Sequence, residues 1–89
     1  MSKREVLEIM SGAQRPMFPD EVCRRLTRSA YRSSVYSYLF RLHKQRLLFR
    51  RRITDRIAYQ ISPRGVERLR FLTLVEKKNG VLFTGGPRV

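Results

Sequence analysis

Residues 29–61, SAYRSSVYSYLFRLHKQRLLFRRRITDRIAYQI, decide the fold because the spacing of their apolar side chains changes partway along the stretch. Val35, Leu39 and Leu42 lie at positions i, i+4 and i+7, which predicts a helix over residues 31–46 with one face on a core. The other faces of this helix carry cations, hydroxyl groups and an aromatic ring, none of which requires burial: Arg32, Ser33, Tyr36, Ser37, Arg41 and Lys44.

The second half of the stretch has the two-residue period of a β-strand. From Leu47 onward Phe49, Arg51 and Ile53 are expected on one side of a strand and Leu48, Arg50 and Arg52 on the other, and residues 57–61 alternate in the same manner. Only residues 54–56 (TDR) separate the two runs, which is short enough for a hairpin connection. We therefore expect residues 47–62 to form an antiparallel hairpin.

Charge is distributed unevenly along the chain. Residues 22–54 hold ten of the twenty basic residues and none of the seven acidic residues. A surface that is merely exposed to solvent normally carries charges of both signs. Solubility alone therefore explains this acid-free window poorly. We expect the window to bind a polyanion. Its basic residues are Arg24, Arg25, Arg28, Arg32, Arg41, Lys44, Arg46, Arg50, Arg51 and Arg52.

The overall composition limits the kinds of partner that the protein is expected to bind. A net charge of +13 draws a protein to nucleic acid or to an anionic membrane. Membrane is the weaker alternative, because no apolar run approaches the roughly 20 residues that span a bilayer. Residues 1–5 (MSKRE) lack the hydrophobic segment of a signal peptide, and the single cysteine, Cys23, has no partner for an internal disulfide. We expect a cytoplasmic, nucleoid-associated protein.

The segment before residue 31 predicts two shorter helices. Ser2 and Glu5 have the spacing of a capping box, so a first helix is expected to run to about Met10 and to end at Gly12. A short strand at residues 16–18 is possible and would pair with the hairpin. Pro19 suits the first position of a second helix. Residues 27–30 then form a turn, with Ser29 as the expected N-cap of the third helix, and Arg28 is placed to reach a phosphate backbone.

The last helix is expected over residues 63–78, with Ser62 as its N-cap and Asn79-Gly80 as its stop signal. Residues 1–78 would thus be one folded domain and residues 79–89 a flexible tail. The helix has too many apolar residues for one face, so we expect one side to close the core and the other to meet a second copy of the chain. The residues expected at the dimer contact are Leu69, Phe71, Leu72, Leu74 and Val75.

The order helix, short strand, helix, helix, strand, strand, helix resembles the winged-helix family of DNA-binding regulators. Residues 32–42 (RSSVYSYLFRL) look like the recognition helix of small bacterial and archaeal members of the MarR, ArsR and PadR kind, and residues 59–65 (YQISPRG) are similar to their passage from wing to last helix. The resemblance covers residues 3–76. It implies a mostly helical α+β fold: a winged helix-turn-helix with a three-helix core, a two-stranded basic wing and a C-terminal helix.

The resemblance also implies roles for individual residues. The side chains expected to face the major groove of DNA are Arg32, Ser33, Tyr36, Ser37 and Arg41. Arg52 and Arg56 would lie along or inside the neighbouring minor groove. Many relatives have glycine where Arg46 stands, so a left-handed backbone at Arg46 would carry modest strain.

We therefore expect sequence-specific or architectural binding of double-stranded DNA by a homodimeric transcriptional regulator. Helix 31–46 would lie in the major groove, and the wing on the adjacent backbone or minor groove. The residues expected to contact DNA are Arg28, Arg32, Ser33, Tyr36, Ser37, Arg41, Lys44, Arg50, Arg52 and Arg56. Two alternatives remain: an RNA-associated or ribosome-associated module, and a protein-interaction subunit of a larger complex.

Catalysis and ligand binding are not expected. The sequence has no Gly-rich phosphate loop, no paired metal ligands and no nucleophile with an evident base, so we expect neither enzyme activity, nor a cofactor, nor a small-molecule ligand. His43 is the only histidine, and a surface or helix-end role is expected for it. Tyr36 and Phe40 lie one turn apart and could stack on bases, although packing is the more common role for such rings.

Overall fold

The computed structural model describes the backbone of residues 1–85 and the side chains of residues 1–75. Four helices and two strands follow one another in the expected order. Their bounds are α1 Lys3–Ala13, α2 Pro19–Arg25, α3 Arg32–Lys44, β1 Leu48–Ile53, β2 Arg56–Ile61 and α4 Pro63–Gly85. None of the described helices is both long enough and apolar enough to cross a membrane.

One hydrophobic core joins the first three helices to the root of the hairpin. The predicted α3 stripe of Val35, Leu39 and Leu42 is buried in it, as expected. Each such side chain contributes roughly 1.5–3 kcal/mol when it leaves water, so this stripe holds α3 firmly with its polar faces outward. The other buried apolar side chains are Val6, Leu7, Met10, Met17, Val22, Leu47, Leu48, Ala58 and Tyr59.

α1 begins as predicted, since the Ser2 hydroxyl accepts a hydrogen bond from the Glu5 backbone N–H at 3.1 Å. Its expected end is wrong: Gly12 lies within the helix, which runs to Ala13. The left-handed residue that ends the helix is Gln14, with φ at 55°. A single glycine inside a helix costs only about 1 kcal/mol, which is too little to stop it.

The expected strand at residues 16–18 is present as a single β-bridge. Met17 and Tyr59 exchange two backbone hydrogen bonds, of 2.7 and 2.8 Å. The sheet itself has two strands, β1 and β2. The bridge ties the chain just before α2 to the middle of β2, and so places α2 beside the hairpin.

The turn between α2 and α3 differs from the prediction at Ser29. The N-cap position of α3 belongs to Tyr31, and no side chain caps the helix there. The turn is fixed at Thr27, before Ser29 in the chain. The backbone N–H and the hydroxyl of Thr27 both donate to the Glu5 carboxylate at 2.7 Å. These hydrogen bonds hold the pKa of Glu5 below its usual value. Ala30 then packs against the core, so the helix starts beyond Ser29.

α3 ends at Lys44 in a hydrogen-bonded cap that requires a left-handed residue. Arg46 has φ at 66°, which confirms the backbone conformation considered for it. Its N–H donates to the carbonyl of His43, and the N–H of Leu47 donates to that of Leu42 at 3.0 Å. This is the Schellman pattern of helix termination. It turns the chain sharply from α3 into β1.

The hairpin is antiparallel and in continuous register from the Leu48–Ile61 pair to the Ile53–Arg56 pair. Its connection is shorter than predicted, because Arg56 belongs to β2 and only Thr54 and Asp55 form the turn. Thr54 has φ at 57°, as a tight mirrored turn between twisted strands demands.

α4 is capped by Ser62 as predicted, since its hydroxyl accepts from the Gly65 N–H at 3.0 Å. The predicted end near Lys78 is wrong, because the helix continues through Asn79-Gly80 to Gly85. Asn and Gly each cost no more than about 1 kcal/mol inside a helix, which is too little to end it. Residues 86–89 of the expected tail lie outside the described residues.

Candidate nucleic-acid interface

The candidate interface is built first from the solvent-facing side of α3. Burial of one stripe leaves the opposite side of this 13-residue helix in water. The six side chains expected there are all exposed: Arg32, Ser33, Tyr36, Ser37, Arg41 and Lys44. A helix of this length extends about 20 Å. The major groove of DNA is about 12 Å wide, which is enough to admit one helix.

Tyr38 is half-buried against the core and borders the same surface depression as Ser33, Ser37 and Arg41. Burial raises the pKa of its phenol, so the hydroxyl stays protonated at neutral pH. It adds no charge to the helix.

The hairpin supplies the second part of the interface. Arg50 and Arg52 share one face of β1 with Leu48, and they lie opposite Tyr59 and Ile57 of β2. Both arginines are exposed, because the core covers only the root of the hairpin. Arg56, the first residue of β2, is exposed near the turn. The three predicted wing cations thus project from the outer half of the hairpin.

Arg28 lies exposed in the turn before α3, together with the exposed Arg24 and Arg25 at the end of α2. Arg51 points to the other face of the strand from Arg50. Among the described side chains, Arg51 forms no ion pair with Asp55 or with an acid of a helix. Arg51 is therefore a free cation of the exposed wing surface.

Phe40 lies between the helix and the hairpin. Its ring is 45% exposed, and two cations lie near it: the Lys44 ammonium at 5.6 Å and the Arg50 guanidinium at 5.7 Å from the ring centroid. The Phe40 ring is therefore only partly packed within its own chain, although packing is the more common role for such a ring. The ring holds Arg50 toward α3 and keeps an apolar surface on the solvent side.

Asp20 is a site residue that the sequence reasoning missed. The carboxylate lies 3.3 Å from Nε of Arg32 and 3.7 Å from Nη2 of Arg56, and the Tyr36 hydroxyl donates to it at 3.4 Å. The Arg56 guanidinium lies 3.9 Å from the centroid of the Phe18 ring. One acid of α2 thus joins two cations that α3 and β2 present to solvent.

A cleft of about 330 Å³ separates α3 from the hairpin. Its lining includes two cations and one acid of the hairpin, together with apolar side chains of α2 and β2. The lining residues are Pro19, Tyr36, Arg50, Asp55, Arg56, Ile57 and Tyr59. Tyr36 is the residue of α3 in this lining, and the hairpin supplies most of the rest.

His43 has the expected helix-end role. Its Nδ1 lies 3.1 Å from the carbonyl oxygen of Leu48, to which the ring N–H donates. The ring also packs between Phe40 and Tyr59. Among the described side chains, no three His, Cys, Asp or Glu residues come together as a metal site.

The five residues expected at a dimer contact divide into two groups. Leu69 and Leu72 pack against the core of their own chain, and Val75 is half-buried. Phe71 and Leu74 are more than half exposed. The outward face of α4 is therefore narrower than predicted.

Taken together, the three-helix core, the antiparallel hairpin that follows α3 and the closing helix α4 define a winged helix-turn-helix of the α+β class. Among solved structures, the fold is similar to that of a single-residue variant of MepR from S. aureus, a MarR-family winged-helix regulator. The TM-score is 0.73 at 15% sequence identity.

The similarity covers 97% of this chain and 64% of the MepR chain. The chain therefore spans somewhat less than two thirds of that regulator. Comparison with known protein families and with curated proteins finds no match. The predicted fold class is confirmed.

Proposed function

We propose that the protein binds double-stranded DNA and regulates transcription, with α3 in the major groove and the wing, residues 47–62, on the adjacent backbone or minor groove. One observation supports the proposal: exposed cations of α3 and of the hairpin come together at two points, Lys44 and Arg50 at the Phe40 ring and Arg32 and Arg56 at the Asp20 carboxylate. Phosphate contacts from such a surface supply affinity, and side chains in the groove read the bases.

The exposed residues divide into those that can contact base edges and those that can contact the sugar-phosphate backbone. Arg32 and Arg41 can each grip the O6 and N7 atoms of a guanine with two hydrogen bonds, and Ser33, Tyr36 and Ser37 can bond to bases or to phosphate. Contacts to the sugar-phosphate backbone are assigned to the cations of the turn before α3, of its C-terminal end and of the wing. They are Arg28, Lys44, Arg50, Arg52 and Arg56.

The active form in this proposal is a homodimer that meets through the outward face of α4. Phe71 and Leu74 support it, since two large apolar side chains one turn apart gain from leaving water. Two recognition helices would then be about 34 Å apart, one turn of DNA, on a site with twofold symmetry. Sedimentation of the full chain, with and without DNA, tests the dimer separately from the binding.

The binding itself is tested by selecting duplexes from a random pool and titrating the selected DNA against salt. If the surface contacts 6 to 10 phosphates, affinity should fall about 10³- to 10⁵-fold between 50 and 200 mM salt. A hairpin RNA of equal length serves as competitor. A flat salt response, or preferential release of the DNA by the RNA, would contradict the proposal.

A further inference from the structure

The carboxylate of Asp20 lies under the cationic surface rather than on it. The side chain of Asp20 is 28% exposed, whereas those of Arg32 and Arg56 are 72% and 55% exposed. The acid therefore meets each guanidinium from its protein side. The three residues come from α2, α3 and β2, so one carboxylate spans the recognition helix and the wing.

The contacts use only part of each arginine. A guanidinium has five N–H donors in a rigid plane. Arg32 approaches the carboxylate through Nε at 3.3 Å and Arg56 through Nη2 at 3.7 Å, both as ion pairs, so the outward donors of both groups can still meet a phosphate or a base. The Phe18 ring, 3.9 Å from the Arg56 guanidinium, limits that group from a second side. Both cations are thus drawn toward one carboxylate and keep donors for DNA.

Judged by charge alone, without regard to how the arginines are oriented, a carboxylate at this position weakens DNA binding. The carboxylate repels nearby phosphate and attracts the two arginines that would otherwise be fully available to any duplex. Its benefit is a fixed distance between α3 and the wing, and fixed directions for the remaining donors. Fixed donors match only some arrangements of bases and backbone, whereas freely moving arginines adapt to all of them.

We infer that Asp20 is a positioning residue that sets the sequence specificity of the interface, by holding Arg32 and Arg56 in register at the expense of affinity for DNA in general. The inference rests on the proposed function. It concerns how well one duplex is distinguished from another, and not whether duplex DNA is bound at all.

The test compares Asp20→Asn with Asp55→Asn. Asp55 lines the same cleft and its substitution makes the same charge change, but Asp55 forms no ion pair with Arg32 or Arg56 in the described residues. Fluorescence anisotropy measures affinity for a duplex selected by the wild-type protein and for a scrambled duplex of equal length. Thermal unfolding verifies that each variant is folded.

Both variants should bind the scrambled duplex several-fold more tightly, because each loses one negative charge. Only Asp20→Asn should lower the ratio of selected to scrambled affinity, by about 3- to 10-fold, as expected when one or two exposed ion pairs are lost. An unchanged ratio in Asp20→Asn, or an equal fall in both variants, overturns the inference. So does a wild-type protein that binds both duplexes equally.

A second variant guards against a simple folding defect. Arg32→Lys keeps the charge but removes the planar donor that meets Asp20. If the two residues act together, the double variant should lose less discrimination than the sum of the two single losses; strictly additive losses would show independent action and overturn the inference. If the wild-type protein shows no salt-dependent duplex binding, the proposed function itself fails, which is a distinguishable result.

Discussion

The hydroxyl of Ser62 donates a hydrogen bond to the carbonyl oxygen of Arg46 at 2.8 Å, and so joins the end of α3 to the start of α4. The Ser62 hydroxyl oxygen also accepts from the Gly65 N–H, and the Ser62 N–H donates to the carbonyl of Leu47 at 3.0 Å. The two chain segments that enter and leave the hairpin are therefore fastened to each other. This fastening fixes the direction in which the wing projects from the core.

Ser62→Ala should destabilise the protein by about 1–3 kcal/mol, because it removes a helix cap and leaves a sheltered carbonyl without its donor. Ser62 is only 3% exposed, so water cannot easily replace the hydroxyl. The measurement is the free energy of unfolding in urea. Ser34→Ala on the exposed side of α3 is the control, and a loss of equal size there would contradict the role given to Ser62.

Arg46→Gly should stabilise the protein by about 0.5–1 kcal/mol. Glycine adopts the left-handed backbone required at Arg46 without a steric penalty, although it gives back part of the gain through the entropy of the unfolded chain. Arg46→Ala separates the backbone from the charge, since it removes the cation and keeps the side-chain penalty. Chemical denaturation should rank the glycine variant above the alanine variant, and the reverse order would show that the strain is absent.

Gly65 and Gly12 should respond in opposite ways to alanine. A Cβ at Gly65 would lie 2.2 Å from the backbone oxygen of Leu47, which cannot retreat without disturbing the hairpin root. We expect Gly65→Ala to cost more than about 2 kcal/mol. A Cβ at Gly12 meets nothing within 4 Å, so Gly12→Ala should gain up to about 1 kcal/mol from helix propensity. Two changes of the same sign in the melting temperature would contradict the packing at Gly65.

The fold was predictable to the extent that it depends on local periodicity. The spacing of Val35, Leu39 and Leu42 and the alternation after Leu47 predicted α3 and the hairpin, because a buried face imposes its period on the sequence. Helix ends were less predictable. Ser29 is a good N-cap by type, but the hydrogen bonds between Glu5 and Thr27 fix the turn from a distance of 22 residues.

The same limit applies to the candidate site. Its exposed cations were predictable, because an acid-free window next to an apolar stripe indicates a charged outer face. The place of Asp20 in the site was not predictable, because the helix dipole already explains an acid in the first turn of a helix. Its contacts with Arg32 and Arg56 depend on how α2 packs beside α3 and β2, which no spacing within one element reveals.

Glu21 should make stability depend on pH. Hydrogen bonds from Arg15, at 2.8 and 3.2 Å, and from the Phe18 N–H lower its pKa to about 2 from an ordinary value of 4.5. Because the folded-state pKa is depressed, this stabilisation is fully present above pH 4.5 and is lost as the pH falls through about 2. Unfolding free energies of the wild type and Glu21→Gln should therefore differ at pH 7 and converge in acid. Glu67→Gln on α4 controls for the charge change, and a gap that stays constant with pH would contradict the assignment.

Arg41 and Arg52 should affect DNA binding in different ways if α3 enters the groove and the wing follows the backbone. Arg41→Ala should lower affinity for the selected duplex by about 1–3 kcal/mol and relax the preference at one position, since a bidentate contact with a base is lost. Arg52→Ala should weaken all duplexes alike and reduce the slope of log affinity against log salt by about 0.9, the contribution of one phosphate. Binding measured on selected and scrambled duplexes at several salt concentrations separates the two effects. If both variants change the preference equally, or neither does, α3 is not the element that reads the bases.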